Sequence, residues 1–464
     1  MKRKFSETTL ILSIGGSFLV GMILTFIVLN SRFNFSTLGD ISQVYQNINH
    51  NYYQKVSPKQ LKNGAIKGMV NSLDDPYSQF LADEEQTSFN EDIASEISGI
   101  GVTIEKADQG IKIVSVVKNS PAQKAGLRVN DLITKIASHS TNKMSTEKAT
   151  TLTRGKKGTK VKLQLKRQQL TFNKTLQRQP IKVPTVSGKL LTDDRMIGQI
   201  TITQFSERTA KELQQQVKKL KNKGARKLII DVRSNNGGLM DQAIEAASMF
   251  LPNGRNIMTL ASRADGNITY KASSKYLNNY KVKLPTVVLV DKETASAAEI
   301  FAAALQQSGH LTVVGENTFG KGVAQTMTPL NDTSEMKITT AKWLTPNHDW
   351  INKKGLSPNV KVKYPSYMNI KPFTDTQILS LNSHNNDVKI AQQILQALGY
   401  DVPKSGVLDD QTVQQLKLWQ MQNKVDPSGN LDVSTRQSLT QDLVKKAQAD
   451  DPMQQKAVTI LKEK

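Results

Sequence analysis

The chain has 464 residues with 62 Lys and Arg against 40 Asp and Glu, a formal net charge of +22 and 38% hydrophobic residues. That length exceeds one ordinary domain, and the apolar content is enough for packed cores, so wholesale disorder is excluded. The absence of cysteine excludes disulfides, thiolate zinc sites, iron–sulfur clusters and a cysteine nucleophile, and five scattered histidines leave no helix-borne zinc motif and disfavour a histidine triad.

Lys2, Arg3 and Lys4 precede an uncharged run from Thr9 to Leu29. As a helix that run would span about 31 Å at ~1.5 Å per residue, close to the roughly 30 Å of bilayer hydrocarbon. Val28-Leu29-Asn30-Ser31 offers no small-residue cleavage site, so a retained anchor is expected, with the basic leader inside and the rest of the chain outside the cytoplasm. The basic balance then suits wall polymers or anionic lipid heads. Nucleic acid is set aside, because the chain is translocated and its basic residues are not gathered in one arm.

A helical pattern follows from Ile41 to Met69 and stops at the turn Leu73-Asp74-Asp75-Pro76-Tyr77-Ser78. Ile97 to Arg167 reads as a β-rich module, with Ile111 to Val117 alternating as a strand and Ser120-Pro121 capping a short helix. From Lys182 to Tyr367 strands and helices alternate, the pattern of an α/β layered domain. Asp387 to Leu443 carries a repeat: Ser405-Gly406-Val407-Leu408-Asp409-Asp410-Gln411-Thr412 returns 23 residues later as Ser428-Gly429-Asn430-Leu431-Asp432-Val433-Ser434-Thr435. Each copy is a glycine turn leading into a helix. After Lys445 comes a charged tail of helical propensity.

Ser296 follows the buried strand Val288-Leu289-Val290 and opens a helix in Ser296-Ala297-Ala298-Glu299. A capping serine is the ordinary use of that spacing. A hydroxyl at a strand's carboxyl end beside a helix N-terminus is also placed for nucleophilic attack. Lys321 lies one strand–helix–strand crossover later, 25 residues on, so the two can meet at one end of a sheet. A lysine deprotonates serine only when its own amine is uncharged. Gly315-x-x-x-x-Gly320-Lys321 imitates a phosphate loop but has Gly322 where Ser or Thr should hold magnesium, and strand where helix should follow, so a nucleotide site is rejected. Asp231-Val232-Arg233-Ser234-Asn235-Asn236-Gly237-Gly238-Leu239 is a turn able to offer backbone N–H groups to an anion.

Together these segments resemble the carboxyl-terminal processing peptidases, tail-specific serine proteases with a Ser–Lys dyad. The matching residues are Leu73 to Ser78, Gly99-Ile100-Gly101-Val102, Asp231 to Leu239, Ala295-Ser296-Ala297-x-Glu299-Ile300 and Thr318-Phe319-Gly320-Lys321-Gly322-x-x-Gln325. The resemblance implies Ser296 as nucleophile, Lys321 as general base and Gln325 as its orienting residue. It puts the oxyanion hole on the N–H of Ala297 and of the Gly237-Gly238 turn, without deciding which glycine donates. Ala298 and Asn236 depart from residues common in the family, and neither touches the dyad. The β-rich module resembles a PDZ domain, which implies that amides of Gly99, Ile100, Gly101 and Val102 hold a substrate's C-terminal carboxylate while Arg154 gates the protease. The terminal repeat resembles a small peptidoglycan-binding domain, in which a buried Trp419 would be core and an exposed one a sugar platform.

The expected fold is therefore multidomain: a leader at 1–8, a single transmembrane helix at 9–29, a helical N-terminal segment at 40–95, a β-rich PDZ domain at 96–168, an α/β protease core at 182–370, an all-α repeat domain at 385–445 and a charged tail at 446–464. The expected function is a membrane-anchored envelope endopeptidase needing no cofactor and no metal. Its implied partners are proteins with exposed apolar C-termini, the membrane, peptidoglycan and a second copy of the chain as a homodimer. The rivals are a noncatalytic wall-anchored PDZ scaffold and a wall hydrolase acting through a carboxylate pair.

Overall fold

The computed structural model describes residues 7–33 and 35–463, with side chains described at 12–25, 39–447 and 449–463. The expected leader at 1–8 lies almost wholly outside the described residues. The chain divides into two compact units, Met1–Thr87 with Gln325–Thr339, and Ser88–Ala324 with Thr340–Lys464.

In the first unit the expected transmembrane helix is corrected. Among the described residues no helix is long and apolar enough to cross a membrane. Residues 7–33 form one helix. The single helix expected across Ile41 to Met69 is two, Phe35–Asn51 and Pro58–Asn71. Pro58 explains the break: it has no N–H to donate to the preceding turn, and it sits at the first position of the second helix. The strand Gln79–Ala82 then pairs antiparallel with residues 334–337.

The second unit begins with the β-rich module. Its strands Val102–Ala107, Gly110–Val116, Leu132–Ile136, Lys160–Arg167 and Leu170–Gln177 form an antiparallel sheet in that spatial order. Alternation puts Ile111, Ile113, Ile133, Ile136, Leu163 and Leu165 on the buried face. Ser120 caps the short helix Pro121–Lys124 by accepting from Gln123 N, with Pro121 at its first position. Val102–Ala107 is an edge strand, paired on one side only, and the helix Thr146–Thr153 packs near it.

The α/β core is a six-stranded sheet in the order Val186–Leu190, Ile197–Ile202, Lys227–Asp231, Thr286–Val290, Thr312–Gly315 and Val360–Lys361. Only the first pair is antiparallel. The central strands Lys227–Asp231 and Thr286–Val290 are apolar almost throughout because both faces are covered. The helices Thr209–Asn222, Met240–Ser248 and Ala297–Ala303 supply one face through Leu213, Val217, Ile244 and Phe301. The other face carries Ile229, Val287, Leu289 and Val314 and is covered by Met453, Ala457 and Leu461 of the chain's last helix, Pro452–Lys462. The segment read as a charged tail is thus a structural layer of the core.

The repeat module has three helices, Asn386–Ala397, Asp410–Gln422 and Val433–Ala449, closed around Leu395, Leu408, Leu416, Trp419 and Leu439. Trp419 is 1% exposed, so it is core.

Candidate active site

The strand Thr286–Val290 delivers the chain to Asp291, whose buried carboxylate organises the approach to Ser296. It accepts from the N–H groups of Thr294 (3.0 Å) and Ser234 (3.0 Å), joining this loop to the turn after the neighbouring strand. Thr294 Oγ1 donates to Val232 O at 2.9 Å, and Ala295 N donates to Asn235 O at 2.9 Å. The two loops thus run as one layer at the carboxyl end of the sheet. Ser296 follows in a left-handed backbone conformation, φ 54°, which non-glycine residues adopt at a cost.

Glu299, fully buried, links Ser296 to Lys321. Its Oε2 accepts from Ser296 N at 2.8 Å and from Lys321 N at 2.9 Å; its Oε1 accepts from Gly320 N at 2.7 Å and from the Thr318 hydroxyl. Burial pushes its carboxyl above the ordinary range, and these donors pull it back without cancelling the shift. The carbonyl of Lys321 accepts from Trp343 Nε1 at 2.8 Å, and that of Gly322 from Trp350 Nε1 at 2.8 Å. Gly320 adopts φ +85°, and a Cβ there would stand 2.7 Å from Gly355 N. The backbone around Lys321 is therefore held on both sides, and its side chain is half-buried.

The Gly237-Gly238 turn lies against Ser296. A Cβ at Gly237 would stand 2.8 Å from Ser296 Cβ and 3.0 Å from Ala297 N. The Gly237 N–H donates to Asn235 Oδ1 at 2.9 Å. Phe205 brackets Gly238 by donating its N–H to Gly237 O at 2.8 Å and accepting from Leu239 N at 2.7 Å. The N–H groups of Gly238 and Ala297 have no acceptor among the described residues. Two unengaged donors beside a serine are the ingredients of an oxyanion hole.

Gln325 belongs to the first unit, where its carboxamide donates to Thr339 Oγ1 at 3.1 Å. Gly99 ends the strand Glu96–Gly99, and Gly101 (φ +82°) turns so tightly over Ser120 that a Cβ would collide with that side chain. The N–H groups of Ile100 and Gly101 meet no acceptor among the described residues. Exposed Arg154 ends the helix Thr146–Thr153, and its Cγ lies 3.9 Å from where a Gly99 Cβ would be. Arg178 fixes that helix end by donating to Leu152 O (2.8 Å) and Thr153 O (3.1 Å). Sequence reasoning gave no role to Glu299, Trp343 or Trp350. Glu299 left a signal in the Ser-x-x-Glu capping spacing; the tryptophans left none.

Residues 196–362 match peptidase family S41, 29–85 the N-terminal domain of the activating protease CtpB, 98–177 a PDZ domain and 384–439 a peptidoglycan binding domain. The carboxy-terminal processing protease CtpA of Bacillus subtilis is 41% identical over 428 residues, covering 92% of this chain and 91% of its own. A probable CtpA-like serine protease of Staphylococcus saprophyticus is 35% identical over 412 residues, covering 89% of this chain and 83% of its own. Among solved structures, a photosystem II D1 C-terminal processing protease aligns at 25% identity with a TM-score of 0.42, covering 70% of this chain and 92% of that one. At that sequence likeness, over nearly the full length of its relatives, the chain belongs to peptidase family S41 as a serine-type carboxy-terminal processing protease with a PDZ domain and a peptidoglycan-binding domain.

Proposed function

We propose that the protease cuts through a Ser296–Lys321 dyad, selects substrates by their C-terminal tails and works on the envelope side of the cell. The observation that carries the dyad is the shared acceptor: one oxygen of Glu299 receives the N–H of both residues, although they come from separate motifs. Lys321, with its amine uncharged, takes the Ser296 proton as Oγ attacks the scissile carbonyl. The tetrahedral oxyanion is held by the N–H groups of Ala297 and Gly238. Gly238 is the preferred glycine because the Gly237 donor is already engaged by Asn235. Collapse of the intermediate breaks the peptide C–N bond, and Lys321 returns the proton to the leaving amine. Water then attacks the acyl-enzyme as Lys321 accepts its proton; collapse breaks the acyl C–Oγ bond, Lys321 returns that proton to Ser296 Oγ, and the acid is released.

For substrate choice, the support is the edge strand Val102–Ala107 beside the unengaged N–H groups of Ile100 and Gly101. A tail adding as one more strand would end with its carboxylate on those amides. The net charge of +22, the absence of cysteine and the peptidoglycan-binding domain support an envelope setting among wall polyanions. Ser296→Ala and Lys321→Ala are each expected to abolish cleavage of an unstructured, apolar-tailed protein, with circular dichroism unchanged. Activity surviving in either variant would defeat the dyad. Comparing protein C-termini between wild-type and Ser296→Ala cells would identify the substrates.

A further inference from the structure

The two copies in the repeat module share one device. In the first, Gln392 Nε2 donates to the Thr412 hydroxyl (3.0 Å) and to Val407 O (2.9 Å), while its Oε1 accepts from Gly406 N (2.8 Å). In the second, Gln420 Nε2 donates to the Thr435 hydroxyl (3.0 Å) and to Asn430 O (3.1 Å), and its Oε1 accepts from Gly429 N (2.9 Å). The copies part at the next residue. Val413 follows Thr412 and packs against the apolar core, but Arg436 follows Thr435.

Arg436 is 4% exposed. Its Nε donates to Asp387 Oδ2 at 3.2 Å and its Nη1 to Leu431 O at 2.8 Å, but its buried Nη2 meets no acceptor. Leaving such a donor unsatisfied costs roughly 1–3 kcal/mol, and a core built on Val413's pattern would avoid the cost. Arg436 lines an open cleft of about 360 Å³ together with Phe373, Asp375, Val433, Gln437 and Gln441. The first two turns of the 17-residue helix Val433–Ala449 form one wall. The Phe373 ring stands over the guanidinium, 5.9 Å from its carbon.

We propose that this cleft binds the free carboxylate end of a short wall peptide, with Arg436 Nη2 and the carboxamides of Gln437 and Gln441 as donors and Phe373 and Val433 as the apolar wall for a methyl side chain. The proposal rests on the wall-binding reading above and adds where the ligand sits and which end is recognised. A guanidinium matches a carboxylate in shape and charge, whereas a neutral glycan offers nothing that needs a buried cation. A single arginine with Asp375 at the rim is also a poor match for a polyphosphate chain.

The test is calorimetric titration of the full chain with N-acetyl-L-lysyl-D-alanyl-D-alanine and with its C-terminal amide. The acid is expected to bind at least tenfold tighter than the amide. Gln437→Glu and Gln441→Glu, both at exposed positions, are expected to weaken the acid at least tenfold while leaving proteolysis of an unfolded protein unchanged. Equal affinity for acid and amide, indifference to both substitutions, or displacement of the peptide by glycerol phosphate would each overturn the proposal. Sedimentation with purified cell-wall sacculi separates it from the reading beneath. Retention on sacculi with no preference for the acid defeats the cleft and keeps wall binding. Binding of the acid without retention on sacculi keeps the cleft and defeats wall binding.

Discussion

The loops around Ser296 and the loop at Gly99 to Val102 both present unengaged backbone N–H groups, but different groups support them, side chains in the first and backbone in the second. Around Ser296 the neighbouring backbone is tied down: Asp291, Asn235, Glu299, Trp343 and Trp350 each hold it by a hydrogen bond. Around Gly101 the support is backbone to backbone, Gly101 O accepting from Val117 N and Ile100 O from Ala122 N at 2.9 Å each, with a glycine folded over Ser120 and an exposed arginine and an unpaired strand edge beside it. The proposed tasks account for the difference. A developing oxyanion is stabilised most by donors that need no rearrangement when charge appears. A recognition edge has to admit tails of varied sequence, so it supplies backbone donors and leaves side-chain contacts loose.

Glu299 tests the first half of that comparison most severely. Glu299→Ala strips the acceptor from three backbone N–H groups and the Thr318 hydroxyl, of which those of Gly320 and Thr318 are buried and those of Ser296 and Lys321 half-buried. At about 1–3 kcal/mol per buried unsatisfied group the fold should lose several kcal/mol. Activity should fall at least a hundredfold, because Ser296 and Lys321 lose their common anchor. Glu299→Gln keeps the shape but turns an amide toward N–H donors, and a loss of about 2–4 kcal/mol is expected in urea unfolding. The pH dependence carries a sign. The folded carboxyl holds its proton more tightly than the unfolded one, whose ordinary value is 4.5. Its contribution to stability is therefore full below that value and is lost as pH rises through the folded value. Glu299→Gln should flatten that window. A Gln variant with wild-type stability and turnover would show that the shared acceptor is incidental.

The next largest effect lies on the far face of the core sheet. Arg233, from the turn that leads to Gly237, donates to Asp231 Oδ2 (2.7 Å) and to Asp451 Oδ2 (2.7 Å), and Asp451 caps the last helix by accepting from Gln454 N. The two carboxylates outweigh burial and keep the guanidinium charged. Asp451→Ala leaves that nearly buried cation with one partner, and about 3 kcal/mol should be lost in thermal unfolding. Removal of 452–464 exposes Ile229, Val287, Leu289 and Val314 and should prevent folding of the core. A truncated chain that still cleaves would mean that something else covers this face.

What the sequence discloses follows the range of the interactions. Strand–helix alternation, the Ser120-Pro121 cap and the glycine turns are local signals, and each appears where the pattern puts it. Pro58 was equally local, yet the apolar spacing on either side of it concealed the break between two helices. The last helix was legible as a helix, with Met453, Ala457 and Leu461 four apart. The face it covers belongs to strands more than 130 residues earlier, and no periodicity encodes that address. Ser296 and Lys321 were singled out because a crossover returns the chain beside its start. Glu299 was visible only as half of a capping box, since its second pair of donors comes from the far side of that crossover.

The smallest expected effect tests the recognition edge. Gly101→Ala forces a side chain into Ser120 at a positive φ, so the Gly99 to Val102 loop must shift while the core sheet, in a separate hydrophobic cluster, stays as it is. If that loop only receives substrate tails, the loss belongs to binding: KM for an apolar-tailed protein should rise about ten- to a hundredfold, the range for losing one hydrogen bond to a charged carboxylate. The turnover number should hold, and a short peptide that spans only the cut site should be cleaved at the wild-type rate. Arg154→Ala is the companion variant: that side chain is exposed and makes no ion pair among the described residues, so its loss leaves the tail's hydrogen bonds in place and a gating role would appear in turnover, not in KM. A twofold change or less is expected there in KM. If instead Gly101→Ala lowered turnover on the short peptide, the edge would be shaping the reaction centre as well as receiving the tail, and the contrast between a locked site and an open one would fail.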